Sequence, residues 1–289
     1  MRRHALSVLV LLAPLAHAQT TWYVDASGDP PGSGTAEDPY TSIPYALEQS
    51  STQVGDLLLV APGVYPGNLD VWKGVTIRAT AGPLHTRIVP TKPSDVVTLT
   101  RNAPPFSRLE GFTIDDPLTD VGVTVYLQGG ELAGCLLPEN DGGAGIGVEA
   151  IVGLVDGCTI LNGRLGVAIG GLTENDVEVK NSIVWGNEER DIDFFQGELW
   201  LHHCVLGVVG GCCYDSDHNV FADPRFWHPA EGDFHLAPGS PAIDAGDPSD
   251  PPDDDGSVRD AGAIPYDPTY APPPEATAPG SSRRKAVCP

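Results

Sequence analysis

EGFTI at 110–114 is followed by AGCLL at 133–137, DGCTI at 156–160, KNSIV at 180–184 and HHCVL at 202–206. These five segments align without gaps, and their central residues are 23, 23, 24 and 22 positions apart. A repeat with a period of this length is typical of solenoid proteins, in which each unit stacks on the next. The repeat therefore decides the fold class.

A second series of aliphatic residues lies between these segments, with spacings of 23, 21 and 25 positions: Val123, Ile146, Val167 and Ile192. Leucine-rich repeats share the period, but their L-x-x-L-x-L frame and their helical half are absent. The units here are short, rich in β-branched residues and interrupted by glycine. We therefore predict an all-β right-handed parallel β-helix with coils of about 22–24 residues.

The alternation of side chains along a strand assigns a face to each position in a coil. One column is predicted to point inward: Leu109, Leu132, Val155, Val179 and Leu201. The next residues are predicted to point outward from the same strand: Glu110, Ala133, Asp156, Lys180 and His202. The residues after those are predicted to turn the corner of each coil: Gly111, Gly134, Gly157, Asn181 and His203.

Both ends of a solenoid expose strand edges that need a cover. At the N-terminal end, residues 41–50 are predicted to form a short capping helix, with Pro44 in its first turn. A C-terminal cap is predicted to begin at about residue 208, where the repeat fades. Residues 19–270 would then form a single domain, followed by a Pro-rich disordered tail at 271–289.

The N-terminus predicts export from the cytoplasm. Arg2 and Arg3 precede an apolar stretch of signal-peptide length, and Ala16-His17-Ala18 is typical of a cleavage site, so residues 1–18 are predicted to be a signal peptide. The apolar stretch is too short for a transmembrane helix. We expect a secreted protein, extracellular, periplasmic or on the cell surface, and a monomer.

The charge of the chain excludes one class of partner. It carries 16 Lys+Arg against 39 Asp+Glu, a formal net charge of −23. Without residues 1–18 it would carry 14 against 39, or −25. Binding to phosphate backbones requires cations, so nucleic acid is not an expected partner.

Two stretches resemble a known family. The N-terminal stretch contains YVD (23–25), GT (34–35), PYTSI (39–43), GD (55–56) and PGVY (62–65). It resembles the opening of secreted bacterial parallel β-helix proteins of the pectate-lyase-like superfamily. Residues 219–263, NVFADPRFWHPAEGDFHLAPGSPAIDAGDPSDPPDDDGSVRDAGA, resemble the closing element of those proteins, a choice-of-anchor domain. The resemblance implies the fold and little about activity, since the superfamily contains lyases, hydrolases and proteins without known activity.

Lyases of this fold abstract a proton next to a uronate carboxylate, with a lysine or arginine as the base. Lys180 is the candidate base, with Asp156 and His202 beside it in the outward column as further catalytic candidates. Trp200 and Glu178 are the candidate substrate-binding residues. The alternative is that Asp156 and Lys180 form an ordinary cross-coil ion pair.

A glycosidase would instead need two carboxylates on one face, and Glu131, Asp156 and Glu178 could supply such a pair. Two functions therefore stay open. The first is interaction with a polysaccharide along the groove, with lyase or glycoside hydrolase activity undecided. The second is a non-catalytic extracellular or cell-surface structural module. Tryptophans gathered in one exposed groove would favour the first, and tryptophans packed into loops would favour the second.

A metal hypothesis comes from the acidic stretch GDPSDPPDDDGSVRD at 246–260. Its aspartates, together with an Asp-Gly step, resemble a calcium loop: Asp247, Asp250, Asp253, Asp255 and Asp260. The EF-hand frame is absent, and a solvated acidic turn is the alternative. Bound Ca²⁺ is the one cofactor that the sequence raises. His202 and His203 are expected to alternate faces or turn a corner, which argues against one metal between them.

The cysteines divide into two groups. Cys135 and Cys158 occupy one inward column, and we expect buried thiols there. Because an exported protein meets an oxidising compartment, we expect a disulfide from Cys204 to Cys212 or Cys213, eight or nine residues away.

Overall fold

The computed structural model describes residues 18–100, 106–115, 123–138, 145–170, 176–211 and 214–272. Apart from Ala18, the predicted signal peptide lies outside the described residues. So do residues 273–289 of the predicted tail, and Cys212, Cys213 and Cys288. In the described part, no helix is long and apolar enough to cross a membrane.

The regular secondary structure of the described chain is almost entirely β-strand. Strand β1 (Thr21–Val24) and helix α1 (Ile43–Glu48) come before the first coil. The next four coils each contain three strands: β2 (Leu57–Val60), β3 (Gly63–Pro66) and β4 (Leu69–Val71); β5 (Thr76–Ala79), β6 (Thr86–Val89) and β7 (Val97–Leu99); β8 (Arg108–Glu110), β9 (Thr113–Ile114) and β10 (Val123–Leu127); β11 (Glu131–Ala133), β12 (Leu136–Leu137) and β13 (Ile146–Ala150).

The later coils repeat the pattern: β14 (Val152–Asp156), β15 (Thr159–Leu161) and β16 (Leu165–Ile169); β17 (Asp176–Lys180), β18 (Ile183–Trp185) and β19 (Arg190–Phe194); β20 (Glu198–His202), β21 (Val205–Leu206) and β22 (Val209–Gly210). Strand β23 (Asp215–Asp217) follows, and then β24 (Phe226–His228), a 3₁₀ turn (Pro229–Glu231) and β25 (Asp233–Leu236). Strands β24 and β25 pair antiparallel.

Equivalent strands of successive coils pair in parallel to form three sheets in the described residues. Sheet 1 runs β1-β2-β5-β8-β11-β14-β17-β20-β23, sheet 2 runs from β3 to β21, and sheet 3 runs from β4 to β22. The molecule is a parallel β-helix, as the repeat predicts. From Arg108 to Trp200 the register gives coils of 23, 23, 24 and 22 residues, whereas the two earlier coils, from Leu57 to Arg108, contain 19 and 32.

The core fills the space between the three sheets. The predicted inward column is confirmed, because each member pairs with the next and all are buried: Leu109, Leu132, Val155, Val179 and Leu201. The second predicted series is wrong at one step. Ile146 pairs with Leu165, and Val167 pairs with Val148. The shift is two residues, so the same face stays inward.

The corners of the coils use the left-handed backbone region. The predicted corner residues and one more have φ between 50° and 80°, and we call them the corner column: Gly111, Gly134, Gly157, Asn181, His203 and His218. Glycine, asparagine and histidine tolerate this region better than most residues. In the last two coils the corners therefore carry imidazole side chains.

Helix α1 confirms the predicted N-terminal helix, with shorter bounds. Ser42 caps it by accepting a hydrogen bond from the backbone N–H of Tyr45 at 3.3 Å. Pro44 lies in the first turn, where its missing N–H costs nothing. Ile43, Ala46 and Leu47 are buried, so the helix covers apolar residues at the N-terminal end.

The chain from residue 226 onward packs against the side of the solenoid. Residues 226–266, called here the C-terminal segment, turn back along the outer face of sheet 2. Phe234 and Ile264 cluster with Leu136 and Leu161. Leu236, Ala242 and Ala261 cluster with Ile183 and Val205. Strands β12, β15, β18 and β21 each present an apolar side chain on the outer face of sheet 2. The C-terminal segment packs there because it buries this apolar stripe.

Three buried thiols lie in the column that begins with Phe112. Cys135 and Cys158 are free and buried, as predicted. The predicted bridge from Cys204 to Cys212 or Cys213 is corrected, because Cys204 also carries a free, fully buried thiol. Its Sγ lies 3.3 Å from the carbonyl oxygen of His202, directed into the coil. Cys204 occupies an inward position of its coil, which directs its side chain away from the surface.

We expect these three thiols to resist alkylation in the native protein. Burial raises the pKa of Cys135 and Cys204 to about 12, and it raises that of Cys158 well above the usual value. The reactive thiolate is therefore scarce at neutral pH. Iodoacetamide labelling and peptide mapping by mass spectrometry check this. The same reaction in guanidinium should label all three, and native labelling of Cys204 would contradict the burial.

Candidate functional site

The outer face of sheet 1 carries two columns of mostly polar side chains. Outer column 1 follows the register through Thr76, Arg108, Glu131, Leu154, Glu178, Trp200 and Asp215. Outer column 2 follows it through Arg78, Glu110, Ala133, Asp156, Lys180, His202 and Asp217. All five residues predicted as catalytic or substrate-binding lie in these two columns.

Lys180 is held by the C-terminal segment. Its Nζ lies 2.9 Å from an Asp250 carboxylate oxygen, and the two side chains are only 17% and 20% exposed. Burial lowers the pKa of Lys180, but the hydrogen bond to Asp250 and the nearby carboxylates outweigh it, so the pKa is raised. A base at neutral pH needs a lowered lysine pKa, so this arrangement works against that role.

Asp156 is also engaged from the C-terminal segment rather than by Lys180. Arg259 Nη1 lies 3.1 Å from Asp156 Oδ1, and Asn181 Nδ2 donates to the same oxygen at 2.8 Å. The alternative of a simple Asp156–Lys180 ion pair is therefore wrong. Both residues pair with the C-terminal segment, which covers this part of outer column 2.

The three carboxylates considered for a glycosidase, Glu131, Asp156 and Glu178, each contact a different partner and do not form a pair. Glu131 forms an ion pair with Arg108, and Asp156 forms one with Arg259. Glu178 Oε1 lies 2.8 Å from His202 Nε2, and Leu154 separates Glu178 from Glu131 in outer column 1. Of these three carboxylates, Glu178 is the one that borders an open groove.

The five aspartates of the predicted calcium loop serve separate local contacts. Asp247 and Asp255 each accept hydrogen bonds from a serine two residues ahead. Asp253 accepts from the N–H of Asp260, and Asp260 accepts from the N–H of Asp244 and of Tyr266. Asp250 binds Lys180. Among the described residues, these five carboxylates do not converge on one point.

His202 and His203 come together, contrary to the sequence-based exclusion. In the described part of the chain, one group of three residues places potential metal-ligand atoms within 4.8 Å of one another. Its members are His202, His203 and Asp247. The reason is the positive φ of His203, 55°, which turns its side chain back toward the outer face. The two rings lie 5.8 Å apart, and His218 stacks on His203 at 4.9 Å.

Two concavities meet at Trp200. The His202–His203 cleft, of about 330 Å³, is lined by Trp200, Leu201, His202, His203, Asp215, Ser216, Asp217, His218 and Asp247. The Trp200 groove, of about 480 Å³, is lined by Phe106, Gly130, Val152, Gly153, Leu154, Asp176, Glu178 and Trp200. The predicted substrate-binding residues Trp200 and Glu178 therefore lie together on an open surface, whereas Lys180 and Asp156 do not line it.

The sequence reasoning missed three residues of this region. Arg259 and Asn181 fix the C-terminal segment to the outer face, and His203 joins the His202–His203 cleft. The positions of His203 and Asn181 in the corner column could have indicated their roles. A residue with left-handed backbone angles directs its side chain differently from a residue in a regular strand. Arg259 had no local signal, since its partner Asp156 is 103 residues away.

The strand register on its own establishes the architecture. The molecule is a parallel β-helix. No protein-family model and no curated protein matches the chain. It is similar to the crystal structure of pectate lyase Pel9A, with a TM-score of 0.28 and 12% sequence identity over 87% of this chain and 98% of that chain. Similarity at this level carries no argument about function.

Proposed function

We propose that this protein is an exported module that binds a neutral polysaccharide along the Trp200 groove. The observation that carries the proposal is the exposed indole of Trp200, 37% accessible, beside the carboxylate of Glu178 in an open groove. An aromatic face offers an apolar platform for a sugar ring, and a carboxylate accepts hydrogen bonds from hydroxyls. Residues 1–18 support export through their signal-peptide pattern.

The groove is formed where the strands carry small residues. Gly130 and Gly153 lie in its floor, with φ of 113° and 142°. A Cβ at Gly130 would lie 2.3 Å from the carbonyl oxygen of Ser107, and one at Gly153 would lie 2.6 Å from that of Gly130. These two positions therefore exclude larger side chains from this part of the groove between Phe106 and Trp200.

The groove is long in the direction of the helix axis. Phe106 precedes the first residue of β8, and Trp200 lies in β20, four coils further along sheet 1. At about 4.8 Å per coil, this separation is about 19 Å. Phe106 and Trp200 are both exposed, so an extended chain lying along the axis would meet an aromatic side chain near each end.

The charges favour a neutral ligand. Asp176 and Glu178 line the groove, and a uronate polymer would meet these carboxylates. The cations of the two outer columns are engaged: Arg78 and Arg108 pair with Glu110, and Lys180 pairs with Asp250. A binding surface for polyanions needs free cations. The acidic polysaccharide required by the lyase hypothesis is therefore disfavoured.

We expect Trp200→Ala to weaken binding to a neutral polysaccharide at least tenfold, because stacking is lost while the groove floor remains. Affinity electrophoresis through gels containing a panel of neutral glucans, xylans and galactans would identify the ligand. Isothermal titration calorimetry with oligosaccharides of that ligand would then measure the change. Polygalacturonate and alginate serve as the acidic members of the panel.

Trp72→Ala is the matched control, since Trp72 is also exposed but follows β4 in sheet 3. It should bind as the unmodified protein does. Retardation by the acidic polymers alone, or equal losses in the two variants, would contradict the proposal.

The second candidate, a structural module, rests on the other tryptophans. Trp22 donates to Asp56 at 2.9 Å and packs against Tyr40, and Trp185 packs against the C-terminal segment. Trp72 and Trp227 also lie outside the Trp200 groove. Trp22 and Trp185 are thus used for packing, whereas Trp72 is exposed. A panel in which no glycan retards the protein would favour this second function.

A further inference from the structure

We propose that His202, His203 and Asp247 form a binding site for a divalent transition metal, with Zn²⁺ as the best-matched ion. Two imidazoles and a carboxylate, with potential ligand atoms within 4.8 Å of one another, converge at the mouth of the His202–His203 cleft. Two histidines and one carboxylate with an open position is a common ligand set of protein zinc sites. The site adjoins the Trp200 groove at Trp200, but none of its three ligands lines that groove, and the proposal does not depend on glycan binding.

Strand register and backbone hydrogen bonds hold the three ligands in place. His202 ends strand β20, in register with Lys180 and Asp217. His203 follows at the corner, where its N–H donates to the carbonyl oxygen of Asp217 at 3.1 Å. Asp247 belongs to the C-terminal segment, and its N–H donates to Oδ1 of the buried Asn181 at 2.7 Å. The backbone thus fixes all three positions before any metal arrives.

A second set of contacts orients the ligand side chains. Glu178 Oε1 lies 2.8 Å from His202 Nε2, an interaction that fixes the ring. Ser249 donates twice to Asp247 Oδ1, at 2.8 Å in each case. Carboxylate and hydroxyl partners of this kind usually orient metal-binding histidines and carboxylates. The ring of His218 lies parallel to that of His203, which limits the rotation of His203.

The ligand chemistry selects the class of metal. Imidazole nitrogen suits Zn²⁺, Cu²⁺, Ni²⁺ and Fe²⁺, whereas Ca²⁺ requires six to eight oxygens. Zn–N and Zn–O bonds of about 2.0–2.1 Å place tetrahedral ligand atoms about 3.4 Å apart. The potential ligand atoms lie within 4.8 Å of one another, so each separation has to shorten by at most about 1.4 Å to reach this tetrahedral value.

The surroundings of the cleft favour a cation. Asp215 and Asp217 line it, and Glu178 lies beside His202. Lys180 is the neighbouring cation in outer column 2, but Asp250 neutralises it through a 2.9 Å ion pair. The local field is therefore negative, in keeping with the net charge of −23.

The test is a calorimetric titration of the full chain with ZnCl₂, after treatment with EDTA and desalting. Native alkylation with iodoacetamide before the titration blocks accessible thiols, so that cysteine cannot bind the ion. We expect one Zn²⁺ per chain, and at least tenfold weaker binding in His203→Asn and in Asp247→Asn. Asparagine keeps the left-handed corner at 203, and it keeps the acceptor for Ser249 at 247, so both variants should fold.

His85→Asn and Asp255→Asn are the matched controls. His85 is an exposed histidine outside the His202–His203 cleft, and Asp255 forms the same turn with Ser257 that Asp247 forms with Ser249. Neither belongs to the group of three, so both should bind Zn²⁺ as tightly as the unmodified chain. Equal affinity in all four variants would overturn the site. So would a response to CaCl₂ without one to ZnCl₂, or a Co²⁺ spectrum dominated by thiolate ligation.

Discussion

Asn181→Ala is expected to lower the free energy of unfolding by about 4 kcal/mol. The Asn181 side chain is fully buried and makes three hydrogen bonds: it donates to Asp156 and Asp250, and it accepts from the N–H of Asp247. Each such bond contributes about 1 kcal/mol, and alanine at a left-handed position costs about 1 kcal/mol more. Urea denaturation followed by tryptophan fluorescence would measure the loss.

Asn162→Ala is the matched control for this change. Asn162 also has a positive φ, 54°, but it is exposed, and its side chain donates a hydrogen bond to the carbonyl oxygen of Pro138. It should lose only about 1–2 kcal/mol. Asn181→Gly removes the backbone penalty and isolates the hydrogen bonds. Equal losses in Asn181→Ala and Asn162→Ala would show that the contacts to the C-terminal segment contribute nothing.

Phe112→Ala is expected to lower the free energy of unfolding by about 4 kcal/mol, through lost burial and a cavity that the core cannot close. Phe112 is among the largest fully buried side chains of the described residues. The positions above it in its column hold Cys135, Cys158, Ser182 and Cys204, which are too small to fill the space. The sheet ladders fix the coil spacing, so the neighbours cannot move in. The same urea titration measures the effect.

Phe195→Ala provides the comparison, because Phe195 is 69% exposed just after β19. Its free energy of unfolding should change by less than about 0.5 kcal/mol. A loss below about 2 kcal/mol in Phe112→Ala would mean that the core collapses around the missing ring, against the rigidity expected of stacked coils.

Much of the fold could be predicted from the sequence, because the pleat has a strict period of two and the coils a nearly constant length. Those two regularities placed Leu132 inward and Lys180 outward without any knowledge of distant contacts. They gave no correct prediction where the coil length departs from 22–24 residues. The coils before Arg108 contain 19 and 32 residues, and the step from Ile146 to Leu165 contains 19, so these positions lay outside a simple period.

The candidate site was less predictable, for two physical reasons. The first is long-range contact: Lys180 meets Asp250 across 70 residues, through a segment that has no repeat to place it. The second is the backbone at His203. A strand would have sent adjacent histidines to opposite faces, but the left-handed corner brings both rings to one cleft. Trp200 and Glu178 were found together because both lie within a regular strand ladder.

The C-terminal segment has a consequence for how the solenoid comes apart. In a simple stack each coil touches only its two neighbours, so the stack behaves as a one-dimensional chain that frays inward from either end. Here one segment is bound to β12, β15, β18 and β21 at once, and so links coils that are not adjacent. Opening any one of these four coils would disturb contacts shared with the other three. The half of the molecule that carries the Trp200 groove and the His202–His203 cleft is thereby made a single cooperative unit, while the coils from β2 to β7 keep the additive behaviour of an ordinary stack.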